Sequence, residues 1–262
     1  MNRILLYFFI VCWSNLKAQD LVLTNTIKGE FSLMNTDHIG KLYLTQRHEL
    51  LMYSKDGALM YRFSDLSRGE ITQLDTRNPL KLLVFYPGYS QIAFLDNTLS
   101  HTRENVQLSK LGLELAQLAC SSYDNGFWVY DPVSFRLIRF DQGLNMTNEI
   151  FNVNQLVGGD LDPDQMLEFD SWLYMNDPKQ GIFVFDSFGT YSKLIPILGA
   201  DRIHVRENGI FLQIGNRLLK YDPLNFEQTE IELPVKDFKA VSIEKDRLFI
   251  LQKDQVLIFS YQ

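Results

Sequence analysis

The stretch IFVFD at residues 182–186 belongs to a pattern that recurs six times along this chain. Each copy is an apolar run that ends in an aromatic residue or leucine, followed by a small polar residue. The copies are LLMYS (50–54), IAFLD (92–96), FWVYD (127–131), IFVFD (182–186), LLKYD (218–222) and VLIFS (256–260). Their last residues lie 42, 35, 55, 36 and 38 positions apart. A single structural unit therefore repeats along the chain.

Repeats of roughly 40 to 45 residues, each with several short strands, are typical of β-propeller blades. Residues 201–233 show the internal plan most clearly. Strands are predicted at 201–205, 210–214, 218–221 and 226–233, separated by turn signals at Asn208-Gly209, Gly215-Asn216 and Asp222-Pro223. One blade must stack on its neighbours to bury its sheet. The sequence therefore predicts an all-β fold in which residues 20–262 form one six-bladed domain.

The sixth repeat is truncated, and the first strand of the chain can complete it. Predicted strands at 239–243, 247–252 and 256–261 are followed only by Gln262, whereas residues 21–27 form an extra alternating strand. Pairing of the two termini would close the ring and remove exposed sheet edges. The copies FWVYDP, IFVFDS and LLKYDP resemble the repeats of six-bladed propellers of the NHL and YWTD kind and their bacterial relatives. This resemblance covers nearly all of the chain after residue 20 and implies the fold, not a subfamily.

The third repeat breaks the period. Its strands are predicted at 113–118, 119–123, 127–130 and 135–141, with FWVYD as the third strand. On this alignment 55 residues separate Asp131 from Asp186, which predicts an insertion at residues 143–164. A long loop in a compact repeat is often functional.

Residues 1–19 predict a cleaved secretory signal. A positive start at Met1-Asn2-Arg3 precedes the apolar run 4–13 and a polar exit. A run of this length is too short to span a bilayer, which needs about 20 residues. Loss of Arg3 and Lys17 would change the formal charge from -7 to -9, which does not suit a nucleic acid or anionic lipid partner. We expect an exported protein, periplasmic or associated with the outer membrane, without direct membrane insertion.

Three aspartates are the candidates for a metal site. Asp160, Asp162 and Asp164 have the spacing that begins a calcium loop, but Gln165 replaces the required glycine and Ser171 the bidentate glutamate. The expectation is a solvated acidic loop without a metal ion or other cofactor.

Catalytic patterns are absent from the sequence. The histidines lack metal-ligand spacing, and no nucleophile elbow or phosphate-binding glycine loop occurs. The candidate acids of the predicted inner strands are Glu114, Asp201 and Glu244. We therefore predict no catalytic residue, although a propeller can assemble one site from several blades.

Three aspartates follow strands in successive repeats. Asp131, Asp186 and Asp222 occupy equivalent turn positions in the predicted blades. Aspartate accepts backbone N–H groups across such turns, and a following proline presets the first corner. We interpret all three as structural.

Two segments are candidates for binding a protein partner. The first is the predicted insertion, whose candidate contacts are Asn148, Ile150, Phe151 and Asn154. The second surrounds a turn, with candidate contacts Phe85, Tyr86 and Tyr89. Large apolar side chains commonly anchor protein interfaces within a polar rim.

Two functions are compatible with these patterns. The first is a non-enzymatic protein-binding scaffold of the bacterial cell envelope, an accessory subunit of an outer-membrane secretion or assembly machine. The alternative is a calcium-dependent propeller that binds or hydrolyses a sugar or lactone. The small number of acids on the predicted inner strands favours the scaffold.

Overall fold

The computed structural model describes residues 21–261. The predicted signal at residues 1–19 lies outside the described residues. Within residues 21–261, no helix is both long and apolar enough to cross a lipid bilayer.

Six four-stranded antiparallel sheets, the blades, make up the fold. The first strand of the chain is β1 (Leu21–Lys28). Blade 1 contains β2 (Leu33–Thr36), β3 (Leu42–Gln46), β4 (Glu49–Tyr53) and β5 (Leu59–Ser64). Blade 2 contains β6 (Gln73–Asp75), β7 (Leu82–Tyr86), β8 (Gln91–Leu95) and β9 (Val106–Gln107). Blade 3 contains β10 (Leu118–Ser121), β11 (Phe127–Asp131), β12 (Arg136–Phe140) and β13 (Met146–Ile150).

The last three blades follow the same plan. Blade 4 contains β14 (Gln165–Phe169), β15 (Trp172–Asp177), β16 (Gly181–Asp186) and β17 (Tyr191–Ile195). Blade 5 contains β18 (Arg202–Arg206), β19 (Gly209–Ile214), β20 (Arg217–Tyr221) and β21 (Gln228–Ile231). Blade 6 contains β22 (Ala240–Glu244), β23 (Arg247–Leu251) and β24 (Gln255–Tyr261), with β1 as its outer strand. Short helices are α1 (Val153–Val157) and the 3-10 turns Leu66–Arg68, Pro87–Tyr89 and Leu108–Leu111.

The predicted closure of the ring is confirmed. Strand β1 pairs antiparallel with β24 from Leu21↔Tyr261 to Lys28↔Gln255, with one bulge between Leu23 and Asn25. Ile27 is buried in an apolar cluster with residues of blades 1 and 6. The N-terminal strand therefore joins the two ends of the described chain.

Apolar clusters fill the spaces between neighbouring blades. One joins Phe85 and Phe94 of blade 2 to Phe127 and Phe140 of blade 3. The Phe127 and Phe140 rings stack with their centroids 5.1 Å apart. Because each sheet is apolar on both faces, the blades stabilise one another rather than folding alone.

Side-chain amides connect consecutive blades. Asn35, Gln73, Gln117, Gln165 and Gln213 each donate a hydrogen bond to a backbone carbonyl at the start of the next blade, at 2.6–3.3 Å. Between blades 6 and 1, the hydroxyls of Ser242 and Thr36 are 2.6 Å apart. These bonds satisfy backbone groups of the innermost strands, which have no further strand on that side.

The third repeat differs from the prediction. FWVYD forms the second strand of blade 3, not the third, and the third strand is β12, which ends before Asp141. With Asp141 in place of Asp131, the spacings between repeats become 42, 45, 45, 36 and 38. The predicted insertion at 143–164 is therefore wrong: it holds the ordinary outer strand β13 and the connection to blade 4.

Each blade contributes turns to two faces of the ring. Face A carries the turns between first and second strands and between third and fourth strands, as at residues 37–41 and 54–58. Face B carries the turns between second and third strands and the connections between blades, as at residues 151–164. The first residues of all six inner strands line a central cavity of about 310 Å³ on face B.

Candidate functional site

The proposed metal candidates do not form a metal site. Asp162 is paired with Lys179, with 2.9 Å between Oδ2 and Nζ, and Asp164 Oδ1 accepts a hydrogen bond from Asn176. Asp160 is exposed. Among the described residues, no group of three or more His, Cys, Asp or Glu side chains could hold a metal ion.

Two of the predicted contact residues are not on the surface. Phe85 and Tyr86 end strand β7 and are fully buried, with Phe85 in the cluster between blades 2 and 3. Their interpretation as contact residues is therefore corrected: they belong to the core, because β7 is the second of four strands and has sheet on both sides. Tyr89, at the tip of the following turn, is exposed.

Three other candidates support the fold locally. Asn148 Nδ2 donates to the carbonyl of Phe188 in blade 4, at 3.3 Å. The side chain of Ile150 lies against the neighbouring Gly189, so that a Cβ added there would be 2.2 Å from Ile150 Cδ1. Asn154 Oδ1 accepts a bond from the Leu161 backbone N–H. These side chains connect blades 3 and 4, which leaves Phe151 as the exposed apolar candidate of this segment.

Exposed apolar side chains from blades 2 and 3 occupy face B. We call them the face-B patch; their exposed fractions range from 44% to 64%. The patch comprises Tyr89, Leu115, Val133, Phe135, Phe151 and Leu156. Exposed large apolar side chains that share one face of a soluble protein are candidates for an interaction site. Of these six residues, the sequence analysis singled out Tyr89 and Phe151 and missed the other four.

Hydrogen bonds hold the segments of the patch together. Ser90 Oγ donates to the Glu114 carbonyl, and Arg136 Nη2 donates to the Gly112 carbonyl at 3.3 Å. The Val153 N–H that begins α1 donates to the Phe135 carbonyl at 3.0 Å. The patch is therefore built on turns that are fixed to one another.

The turn that presents Phe135 adopts an unusual backbone conformation. Phe135 has φ 50°, in the left-handed region that bulky residues seldom occupy. Asp131 stabilises this turn, since it accepts bonds from the Val133 and Ser134 N–H groups and pairs with Arg136 at 3.2 Å. A strained residue that exposes an aromatic ring is a reason to examine this position for function.

The turn aspartates hold their turns as predicted from the sequence. Asp186 Oδ1 accepts bonds from the Phe188 and Thr190 N–H groups, and Asp222 Oδ1 accepts one from the Leu224 N–H at 2.8 Å. We expect Asp222→Ala to lower the free energy of unfolding by about 1 kcal/mol, the usual value of one such bond. Urea denaturation measures this, with exposed Asp237→Asn as the control. An unchanged midpoint would contradict the role of Asp222.

Charged side chains fill the ring at the face-A end of the inner strands. Glu168 accepts bonds from Trp128 Nε1 (2.6 Å), Ser122 Oγ (2.8 Å) and the Tyr123 N–H (2.9 Å). Arg77 pairs with Asp75 and donates across the ring to the Glu168 carbonyl. The buried carboxylates of these strands therefore already accept hydrogen bonds from protein donors.

The predicted acids of the inner strands differ from those observed. Glu244 is buried and pairs with Arg206, while Glu114 and Asp201 are exposed and lie outside the strands. Asp75 and Glu168 were missed. Asp75 pairs with Arg77 of its own blade and accepts a bond from the Ser121 N–H of blade 3, and the wrong alignment of blade 3 hid the partners of Glu168.

Burial shifts the pKa values of two reactive side chains toward their neutral forms. Burial raises the pKa of the Cys120 thiol well above its usual range, which disfavours the thiolate. Burial, with Arg206 and Arg202 nearby, lowers the pKa of His204 well below its usual value. At neutral pH the ring interior holds a thiol and a neutral imidazole.

The Asp75–Arg77 pair predicts a loss of stability in acid. Burial opposes ionisation of Asp75, but the charge and hydrogen bonds of Arg77 and the Ser121 N–H outweigh it, so the pKa of Asp75 is lowered. A lowered carboxyl pKa stabilises the fold above the unfolded value, about 3.9, and this contribution is lost as pH falls through the folded value.

We therefore expect Asp75→Asn to be less stable than wild type at pH 7 and to lose less stability between pH 4 and pH 2. Urea denaturation across this range measures the difference, with Asp237→Asn as the control. Parallel pH profiles for wild type and Asp75→Asn would contradict the ionisation of Asp75 in the fold.

Comparisons with known proteins identify the fold alone. No protein-family model and no curated protein sequence matches this chain. The WD40 domain of Pan2 from Neurospora crassa superposes with a TM-score of 0.62 at 7% identity, over 94% of this chain and 97% of that one. Virginiamycin B lyase from Staphylococcus aureus has a TM-score of 0.60 at 11% identity, over 93% and 100%.

A third similar structure comes from a secretion system. PorZ, a bacterial surface component of the type-IX secretion system of Porphyromonas gingivalis, has a TM-score of 0.52 at 12% identity, over 91% of this chain and 37% of that one. These proteins have different roles, which agrees with the use of one fold for many functions. Because its six four-stranded sheets form a closed ring, this chain is a six-bladed β-propeller.

Proposed function

We propose that this protein is a non-enzymatic, protein-binding scaffold of the bacterial cell envelope, an accessory subunit of an outer-membrane secretion or assembly machine. The face-B patch carries the proposal. It presents aromatic and aliphatic side chains on turns that hydrogen bonds hold in place. A preorganised apolar surface loses little conformational entropy when a partner binds.

The chemistry of the ring interior supports binding over catalysis. Asp75, Glu168 and Glu244 each have a bonded donor, and the thiol of Cys120 is buried. A general acid or base needs free reach to its substrate. These groups stabilise the blades instead.

The cellular setting is supported by two observations of different kinds. The signal predicted at residues 1–19 would export the chain. The similar propeller PorZ is described as a surface component of a secretion system. Both observations support a partner in the cell envelope.

Phe135→Asn combined with Phe151→Ser tests the patch. Asparagine tolerates the left-handed conformation of residue 135, so the fold should be kept while both aromatic anchors are lost. Loss of two anchors should weaken partner binding by at least about 2 kcal/mol, or roughly 30-fold. Quantitative capture from envelope extract of the source cells, followed by titration with the captured protein, measures this loss.

The chain contains a matched control for this variant. Residues 222–226 (DPLNF) repeat the turn of residues 131–135 (DPVSF), and Phe226 has φ 63°, but this turn lies on face A of blade 5. Phe226→Asn should leave capture unchanged. Equal capture by the patch variant and wild type would refute the patch, and a melting temperature that rises with calcium would favour the alternative function.

A further inference from the structure

A groove between blades 4 and 5 opens on face A, on the opposite side of the ring from the face-B patch. Its volume is about 860 Å³, within the range of ligand sites in proteins. Blade 4 forms an aromatic wall from Phe169, Trp172 and Tyr174, and blade 5 forms an aliphatic wall from Ile210, Pro223 and Leu224. The two walls make a slot that could enclose an apolar side chain.

The aromatic wall is held rigidly by the sheet. Phe169 pairs directly with Trp172, and Tyr174 pairs with Val184 on the next strand. The hairpin turn between Phe169 and Trp172 consists of Asp170 and Ser171, with φ 50° and 61°. Two-residue turns of this kind normally use Asn-Gly or Asp-Gly, because both positions need positive φ. The Asp170-Ser171 turn, which leads directly into Trp172, therefore has a strained backbone.

Two apolar side chains of the groove are exposed to solvent. Trp172 is 39% exposed and Leu224 is 89% exposed. Burial of large aromatic and aliphatic side chains is favourable. A partner that covers them would therefore gain binding energy.

The ends of the groove carry opposite charges. Lys193, on the outer strand β17, lies at the rim and forms no ion pair among the described residues. Asp170, Arg206 and Glu207 lie at the end nearer the ring axis; Arg206 is paired with Glu244, whereas Asp170 and Glu207 form no ion pair within residues 21–261. The groove therefore has an apolar middle, a positive outer end and a negative inner end.

We propose that this groove binds an extended peptide segment of a protein partner. The segment carries a large apolar side chain between the two walls, an acidic residue beside Lys193 and a basic residue beside Asp170 and Glu207. An aliphatic wall facing an aromatic wall suits an apolar side chain, and the charged residues at the two ends suit charged flanking residues of a peptide. Recognition of short segments by an apolar slot with charged flanks is a general mode of peptide binding.

This site stands on different observations from the face-B patch. Peptide binding at the groove can fail while capture of a partner through the face-B patch succeeds. Capture through the patch can also fail while peptide binding at the groove succeeds. If both hold, the ring carries a binding surface on each face.

Tryptophan fluorescence provides a direct measurement in the chain that lacks residues 1–19. Trp128 and Trp172 then remain, and Trp128 is fully buried, so the exposed Trp172 reports on the groove. The probes are the capped pentapeptide KSFSE, its serine-centred analogue KSSSE, and chitotetraose. KSFSE should give a saturable change and bind at least about tenfold more tightly than KSSSE.

Matched variants assign the binding to the groove. Leu224→Ser should weaken KSFSE binding several-fold, whereas Leu80→Ser, at an exposed leucine outside both the groove and the face-B patch, should not. Ser171→Gly should keep both binding and stability, because glycine relieves the strained turn. Absence of a saturable response to KSFSE at millimolar concentration, equal binding of KSSSE, or a response to chitotetraose alone would overturn the proposal.

Discussion

Deletion of residues 20–28 should lower the melting temperature by about 10–20 °C. Strand β1 pairs with β24 at seven positions and buries Ile27 between blades 1 and 6. Backbone hydrogen bonds at about 1 kcal/mol each and burial of one large apolar side chain amount to about 5 kcal/mol or more. For a domain of this size, each kcal/mol shifts the melting temperature by about 2–4 °C.

The deletion should also make the protein aggregate. Without β1, the outer edge of β24 is an unpaired strand that can template pairing with another chain. Light scattering during thermal unfolding measures this, with the chain that lacks only residues 1–19 as the reference. Addition of the peptide LVLTNTIK should restore part of the lost stability.

Single substitutions on β1 provide a finer test of closure. Ile27→Ser should destabilise the fold by about 2 kcal/mol, whereas exposed Leu23→Ser on the same strand should have little effect. A deletion variant that melts at the temperature of the reference chain would exclude closure of the ring by β1.

The period and the closure could be predicted because both depend on local patterns. Each third strand is a short apolar run with a polar residue after it, and the truncated sixth repeat leaves a position for one more strand. A residue pattern of this kind reports burial on both sheet faces. It needs no knowledge of distant partners.

The third repeat was misaligned because the same turn motif can follow either the second or the third strand of a blade. Residues 131–135 and 222–226 form similar turns, with a left-handed phenylalanine in each, yet the first follows a second strand and the other a third strand. Hydrogen bonds within the turn stabilise both. The true third strand, β12, was less visible because Arg139 interrupts its apolar run.

Arg139 is inside the protein for reasons that lie in other strands. Its Nε donates to Ser122 Oγ at 2.9 Å, and its guanidinium pairs with Asp124 at 2.8 Å. The wrong prediction that Phe85 and Tyr86 are contact residues has the same cause, because their burial depends on neighbouring strands. Contacts between distant segments decide which side chains form the surface, and one sequence without its partners does not reveal them.

Glu168→Ala should destabilise the protein by about 3–5 kcal/mol, because Glu168 is the acceptor for three donors of blade 3. Its removal leaves the buried Trp128 Nε1 and Ser122 Oγ and the part-buried Tyr123 N–H without their acceptor. Each unsatisfied buried donor costs about 1–3 kcal/mol. The expected fall in melting temperature is about 6–20 °C, while Glu232→Ala, at an exposed position, should change it little.

A double-mutant cycle can separate this network from a simple loss of packing. Trp128→Phe removes the Nε1 donor and should cost less in the Glu168→Ala background than in wild type, by about 1 kcal/mol or more. Denaturant unfolding of the four proteins measures the coupling between the two side chains. Additive effects of the two substitutions would show that Glu168 stabilises blade 3 without the bond to Trp128. A coupling of the expected size would show that the junction of blades 3 and 4 depends on an acid that is structural, which leaves the ring interior for stability and the outer faces for binding.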